Sequence, residues 1–171
     1  RNALLVERPN GDFGMTLMRQ FLFDAFHFVQ LGALEKSSDP RVAAIAAKAL
    51  KEVAYHVERS GDLVIRLGDG TAESHKRMQG ALDDLWSYTG ELFLPDAVDE
   101  AVAHAGIAAD PADLRAAWLA HVSAVLSEAT LTLPAGTYAH KGGKRGVHSE
   151  YLGHLLAEMQ FLQRAYPGST W

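Results

Sequence analysis

Apolar residues recur along most of the chain at three- and four-residue spacing, and the strict alternation that marks strands is nearly absent, so the pattern predicts an all-α fold. Residues Pro9-Asn10-Gly11-Asp12 form a turn signal, after which a long helix is predicted from about Gly14 to Lys36. Asp39 before Pro40 is an N-cap followed by proline at the first helical position, and the helix it opens runs to about Leu67, where Gly68-Asp69-Gly70 stops it. These two helices make a hairpin. A third helix starts at Thr71, carries Met78, Ala81, Leu82, Leu85, Thr89 and Leu92 on one face, and ends before Pro95. A short helix over 96–104 follows. Asp110-Pro111 repeats the start signal for a helix with Leu114, Trp118, His121, Val122, Val125 and Leu126 on one side. Beyond a Gly- and Lys-rich loop, a last helix is predicted from about Ser149 to Tyr166. With no repeat, linker or low-complexity tract, residues 1–171 read as a single domain.

The first long helix decides the architecture. Met18, Phe21, Leu22, Ala25, Phe26, Val29 and Ala33 cover one side, and Leu17, Phe23, Phe28 and Leu31 cover much of the rest, so the helix must be buried. The apolar circumference of this helix and of the one from Pro40 exceeds what their own hairpin can cover, which predicts an interface or missing structure. Gln20, Asp24 and His27 form one narrow polar stripe on it, aimed at a polar cluster inside the bundle or at a slit of solvent. The second helix answers with Glu52 and His56. Di-iron carboxylate bundles place one Glu on each of two helices and Glu-x-x-His on two others, because i, i+3 spacing sets both ligands on one face. Here Tyr55 stands where Glu52 would need a histidine, and Asp24 is a methylene shorter than Glu. The residues therefore predict a hydrogen-bonded core cluster of Asp24, Glu52 and His56, with Lys48 able to supply a cation, rather than a metal site. His121, on an apolar stripe, is read as a satisfied core histidine.

Composition narrows the function classes. The chain has 171 residues, 48% of them hydrophobic, and a formal charge of −5, which supplies no basic face for nucleic acid. With no cysteine it can hold no disulfide, thiolate nucleophile or iron–sulfur cluster, which fits a cytoplasmic location. No stretch is long and apolar enough for a membrane span, and no signal peptide opens the chain. It begins at Arg1 in an apolar run, Ala3 to Val6, with no helix of its own to belong to, so the natural protein is expected to extend N-terminally. Lys141-Gly142-Gly143-Lys144-Arg145-Gly146 lies before a helix N-terminus and has the makings of an anion cradle, though it matches no nucleotide-binding pattern and reads more readily as a solvated loop. Glu150, His154 and Glu158 flank the stripe Leu152, Leu155, Met159, Leu162, which predicts a solvated or interfacial face. No Gly-x-Ser-x-Gly elbow frames a serine, so hydrolase chemistry finds no support.

The blocks NALLVERPNGDF, RQFLFDAFH, DPRVAAIAAKALKEVAYH, RLGDGT, DLRAAWLAHV, EATLTLP and KGGKRGVHSEYLGHLLAEMQFLQRAYPG resemble, along the whole chain, the C subunits of bacterial ring 1,2-phenylacetyl-CoA epoxidase, a multicomponent monooxygenase of phenylacetate catabolism. The resemblance implies a ferritin-like helical bundle, here lacking its first two helices and amounting to about two thirds of the family's length. It implies a metal-free, non-catalytic subunit that binds and supports a catalytic A subunit, with the di-iron centre in that partner and NADPH used by a separate reductase subunit. Asp24 then falls where a catalytic relative presents its lone carboxylate, and Glu52 begins what would be a Glu-x-x-His, with Tyr55 in the histidine's place and His56 beside it. Phenylacetyl-CoA is handled by the whole complex. Asn2 would lie near the partner subunit, and Lys141, Lys144 and Arg145 would assist assembly or CoA binding electrostatically. Two other functions stand beside this one: a di-metal carboxylate oxygenase in its own right, and a stand-alone acyl-CoA-binding helical module.

Overall fold

The computed structural model describes residues 2–136 and 138–170. Seven α-helices and no strand occur among them: α1 (Phe13–Leu34), α2 (Pro40–Gly68), α3 (Ala72–Trp86), α4 (Ala97–His104), α5 (Pro111–Glu128), α6 (Glu150–Met159) and α7 (Phe161–Ala165). The starts are set locally. Asp12, Asp39, Asp96 and Asp110 each accept a backbone N–H of the following first turn, and Thr71 and Ser74 form a reciprocal capping box. α3 stops at Trp86, earlier than its apolar stripe predicts, because the Thr89 hydroxyl donates to the Trp86 carbonyl at 2.8 Å and a 3-10 turn, Gly90–Phe93, takes over. The turn keeps Leu92 and Phe93 buried, so the stripe continues although the helix does not.

α1 runs through the middle, against α2, α3 and α5, while α2 also meets α3 and α5. Met18, Phe21, Leu22, Val64, Met78, Leu82, Leu85, Trp118, Val122 and Leu126 form the core between them, and Leu31, Ala46 and Val53 a smaller cluster further along the α1–α2 hairpin. Thus much of α1's excess apolar surface is covered by α3 and α5. The last turn of α2 crosses the end of α5 so closely that a Cβ on Gly68 would stand 2.5 Å from the Ala129 carbonyl oxygen.

Two termini differ from the sequence reading. Residues Leu4–Glu7, expected to have no helix of their own, form a 3-10 turn with Leu5 wholly buried in the main core. The single helix predicted from Ser149 to Tyr166 is two, α6 and α7, broken at Gln160 (φ −100°, ψ 3°). Nearly every residue from Glu150 onward is exposed, so no packed surface holds the two segments in one line.

Candidate functional site

Asp24 is 3% exposed on α1, facing α2. Its two oxygens are both taken: Gln20 Nε2 donates to Oδ1 at 2.6 Å and Ser60 Oγ, on α2, donates to Oδ2 at 3.0 Å. Burial raises the Asp24 carboxyl above its ordinary pKa, against the opposing pull of Ser60, Gln20, His56 and His27. His27, half-buried and 5.7 Å from the Phe23 ring centroid, is pushed down by burial, with Asp24 pulling the other way. The rest of the predicted cluster does not assemble. Glu52 and His56 lie on the solvent side of α2 with side chains 76% and 45% exposed, 3.6 Å apart as an i, i+4 pair, and Tyr55 is exposed beside them. The stripe that meets α1 is Ala46, Val53, Val57, Ser60 and Val64, and Glu52 and His56 stand off its edge, where none of the described elements covers them. Lys48 is likewise exposed, so no cation reaches Asp24 from it. Ser60, one turn past His56 and on the covered side, is the partner that sequence reasoning passed over.

Because the folded Asp24 pKa is raised, the native state holds a proton there that the unfolded chain has already lost. Stability therefore rises as pH falls through the folded pKa toward the ordinary one, and at neutral pH the buried charge is a net cost. Asp24→Asn keeps an acceptor for Gln20 and lets Ser60 turn its proton to the His56 carbonyl, which it already reaches at 2.8 Å. Urea unfolding should show this variant about 1 kcal/mol more stable than the parent at pH 7, the gap closing as the pH is lowered to 4. A less stable variant at pH 7, or a gap insensitive to acid, would contradict the assignment.

A second polar cluster was missed altogether, a seam between residues 2–8 and the loop 139–149. Glu91, 2% exposed, accepts Leu4 N–H at 2.9 Å and Gly142 N–H at 2.6 Å, one on each oxygen. Glu7, buried, accepts Ser149 N–H and Ser149 Oγ–H at 2.8 Å each and contacts His148 Nδ1 at 2.6 Å. Burial alone would raise the Glu7 carboxyl, but the Ser149 and His148 bonds together bring it below its ordinary value. Lys144 turns inward to Asp99 and to the Leu94 carbonyl, leaving Lys141 and Arg145 as the exposed cations of the basic loop. Asn2 is half-buried, and its backbone carbonyl runs against Gly143. Acidic residues isolated in apolar runs, Val6-Glu7 and Glu91-Leu92-Phe93, were the available signal.

Both Glu91 partners are donors, so the position requires two acceptors. Glu91→Gln offers one oxygen and one NH2 and leaves a buried N–H facing another donor, which should cost about 1 to 3 kcal/mol. Hydrogen exchange at Leu4 and Gly142 reads this out: faster exchange at both is expected, and unchanged protection would count against the bridge.

His121, expected in the core, is exposed at the rim of an open groove of about 610 Å³ between α2 and α5, its ring 6.1 Å from that of Phe21. Among the described residues no three His, Asp or Glu side chains come close enough to hold a metal ion, and no helix is long and apolar enough to cross a membrane.

The sequence profile described as "Phenylacetic acid catabolic protein" matches residues 1–171. The chain belongs to that family. Among curated members of the phenylacetic acid catabolic proteins, the C subunit of the 1,2-phenylacetyl-CoA epoxidase of Escherichia coli (strain K12) is 50% identical over 170 residues, covering 99% of this chain and 68% of that protein. With the family established, the helices described above are those of a ferritin-like bundle, and the chain has a place in phenylacetate catabolism as a homologue of an epoxidase component.

Proposed function

We propose that this chain is a structural, non-catalytic subunit of a cytoplasmic multicomponent oxygenase that epoxidises the ring of phenylacetyl-CoA, where it binds and supports the catalytic A subunit. In this reading the di-iron centre belongs to that partner and NADPH to a reductase subunit. The observation that carries it is the state of Asp24. Both Asp24 oxygens accept hydrogen bonds, from Gln20 and Ser60, while Glu52 and His56 pair with each other instead of joining it. Tyr55 where Glu52 would need a histidine, and Asp24 bonded to Gln20 and Ser60, support assigning no oxygen-activating step to the described residues. Its similarity to the C component of an epoxidase supports a place in the complex. Lys141 and Arg145 remain available to draw in the phosphates of an acyl-CoA or to steer assembly, while Lys144 serves the fold.

Co-expression with the catalytic A subunit, size-exclusion chromatography and metal analysis test the proposal together. A joint peak is expected, with iron tracking the partner and falling far below one ion per chain when this chain is purified alone. Close to two irons per isolated chain, after removal of loosely bound metal, would overturn the non-catalytic role, and separate elution would overturn the supporting one.

A further inference from the structure

Arg8 and Arg19 are half-buried cations, and among the described residues no carboxylate pairs with either. The Arg8 guanidinium lies against two tyrosine rings, 4.7 Å from the Tyr88 centroid and 5.7 Å from that of Tyr151, so cation–π attraction holds it in place. Arg19, on α1, donates to the Arg8 carbonyl and, at 2.6 Å, to Asn10 Oδ1. Those bonds tie the turn 8–10 to the helix, but both acceptors are neutral. Burial pushes the Arg19 guanidinium below its ordinary pKa with no acid pulling it back, and an arginine keeps its charge regardless. A partly desolvated charge without an opposite one is costly. Two of them at one place point to an anion that comes from outside the described residues.

Both arginines line one open pocket of about 240 Å³, formed by residues 2–10, α1 and the start of α6. Asn10 stands in the same wall, its oxygen engaged by Arg19 and its NH2 still able to donate. Val6, Leu152 and Leu155 give the pocket an apolar side. Glu7 reaches it too, but its oxygens are taken by Ser149 and His148. We infer that this pocket binds a small carboxylate carrying an aryl or short alkyl group, its charge on Arg8 and Arg19 and its apolar group against Val6, Leu152 and Leu155. The planar guanidinium fork matches the two oxygens of a carboxylate, and stacking on the tyrosines fixes one fork before a ligand arrives. A cavity of about 150 Å³ already holds benzene, so the pocket has room for a ring and a carboxylate arm. Sites for larger ligands begin near ~300 Å³, so a whole acyl-CoA does not fit inside. Inorganic phosphate would satisfy the arginines and leave the leucines wet.

The rival occupant is an acidic side chain from outside this chain, which covers 68% of its E. coli relative. The test is therefore made on the product of the full reading frame, by methyl NMR titration with phenylacetate as the probe. Saturable shifts at Leu152 and Leu155 are expected, with a Kd on the order of 1 mM or tighter. Phenylacetamide, the same shape without the charge, should bind at least tenfold more weakly, and inorganic phosphate at equal concentration should leave both methyl signals in place. Arg8→Gln should weaken phenylacetate binding at least tenfold. Because that change also removes the stacking, Leu155→Ser, at a position 52% exposed and so compatible with folding, serves as the second variant and should weaken it about threefold or more. No saturable shift in the full product would overturn the inference. Binding by the 171-residue chain but not by the full product would do so too, giving the arginines to a carboxylate of the protein itself. Equal shifts with phosphate would mean an adventitious anion only, and equal affinity for phenylacetamide would remove the arginines from the site. If nothing binds and Arg8→Gln instead breaks co-elution with the catalytic subunit, the arginines serve a protein carboxylate and the inference falls. Co-elution of the parent protein is read separately, so failure of the pocket leaves the supporting role standing.

Discussion

Trp118→Ala is expected to be among the most damaging single substitutions in the chain, costing about 4 to 5 kcal/mol, enough to leave a marginally stable domain largely unfolded. The indole is 2% exposed on the inner face of α5, stacked 5.6 Å from Trp86 and tilted 5.1 Å from Phe93, so truncation empties the point where α5, α3 and the Gly90–Phe93 turn converge. It also removes the donor to the Leu22 carbonyl, made at 3.0 Å to a main-chain oxygen of α1. Trp118→Phe separates the two contributions. It retains much of the ring packing but not the N–H, and should cost about 1 to 3 kcal/mol through the lost hydrogen bond, the Leu22 carbonyl keeping its helical partner, and through the smaller ring. Chemical denaturation of both variants checks this: a loss below about 2 kcal/mol for alanine would mean that the core rearranges around the gap.

What the sequence made legible was local. Asp39-Pro40 and Asp110-Pro111 mark true helix starts because a cap and a proline act within one turn, needing nothing from the rest of the fold. Periodicity likewise places Asp24 and Trp118 inside, since burial of a helical stripe repeats every three or four residues. The same logic failed at Glu52 and His56, which lie close to the stripe in angle but at its solvent edge. Helical spacing cannot show which side of an edge a neighbouring helix covers. Failure was more complete at Glu7, whose partners lie 141 and 142 positions away, and at Glu91, whose partners lie 51 and 87 positions away. A periodic reading sees such carboxylates as surface residues, because the donors that compensate their burial belong to segments with no periodic pattern.

The two missed carboxylates change what the basic loop is for. By its sequence, the stretch 141–146 is a run of cations and glycines suited to an anion. In the fold its glycine amide and one of its lysines are spent on Glu91 and Asp99, so the loop is first a strap that ties residues 2–8 to the bundle and presents α6. Charge reversal at Lys144 would therefore perturb the seam itself. Reversal at Lys141 and Arg145 is the cleaner probe of any electrostatic role toward CoA or a partner.

Gly143→Ala should break that strap. A Cβ built on Gly143 would stand 2.1 Å from the Asn2 carbonyl oxygen and 3.1 Å from Leu4 N, far inside contact distance and against main chain that cannot rotate away. The Leu4 amide is the one that Glu91 accepts, and Leu5 beside it is wholly buried, so displacing residues 2–4 disturbs a buried hydrogen bond and a core side chain together. The expected cost is about 3 to 5 kcal/mol, the sum of one buried bond lost and one leucine partly withdrawn. Gly136→Ala in the same loop is the control, because a Cβ there meets nothing within 4 Å and the variant should unfold with the parent. Hydrogen exchange gives the spatial readout. Gly143→Ala should deprotect Leu4 and Gly142, and then Ser149 as the Glu7 clamp loosens, while α1, α2 and α5 keep their protection relative to the variant's own global stability. If Gly143→Ala instead unfolds at the parent's denaturant midpoint with its seam amides still protected, the main chain of residues 2–4 is not held against this loop.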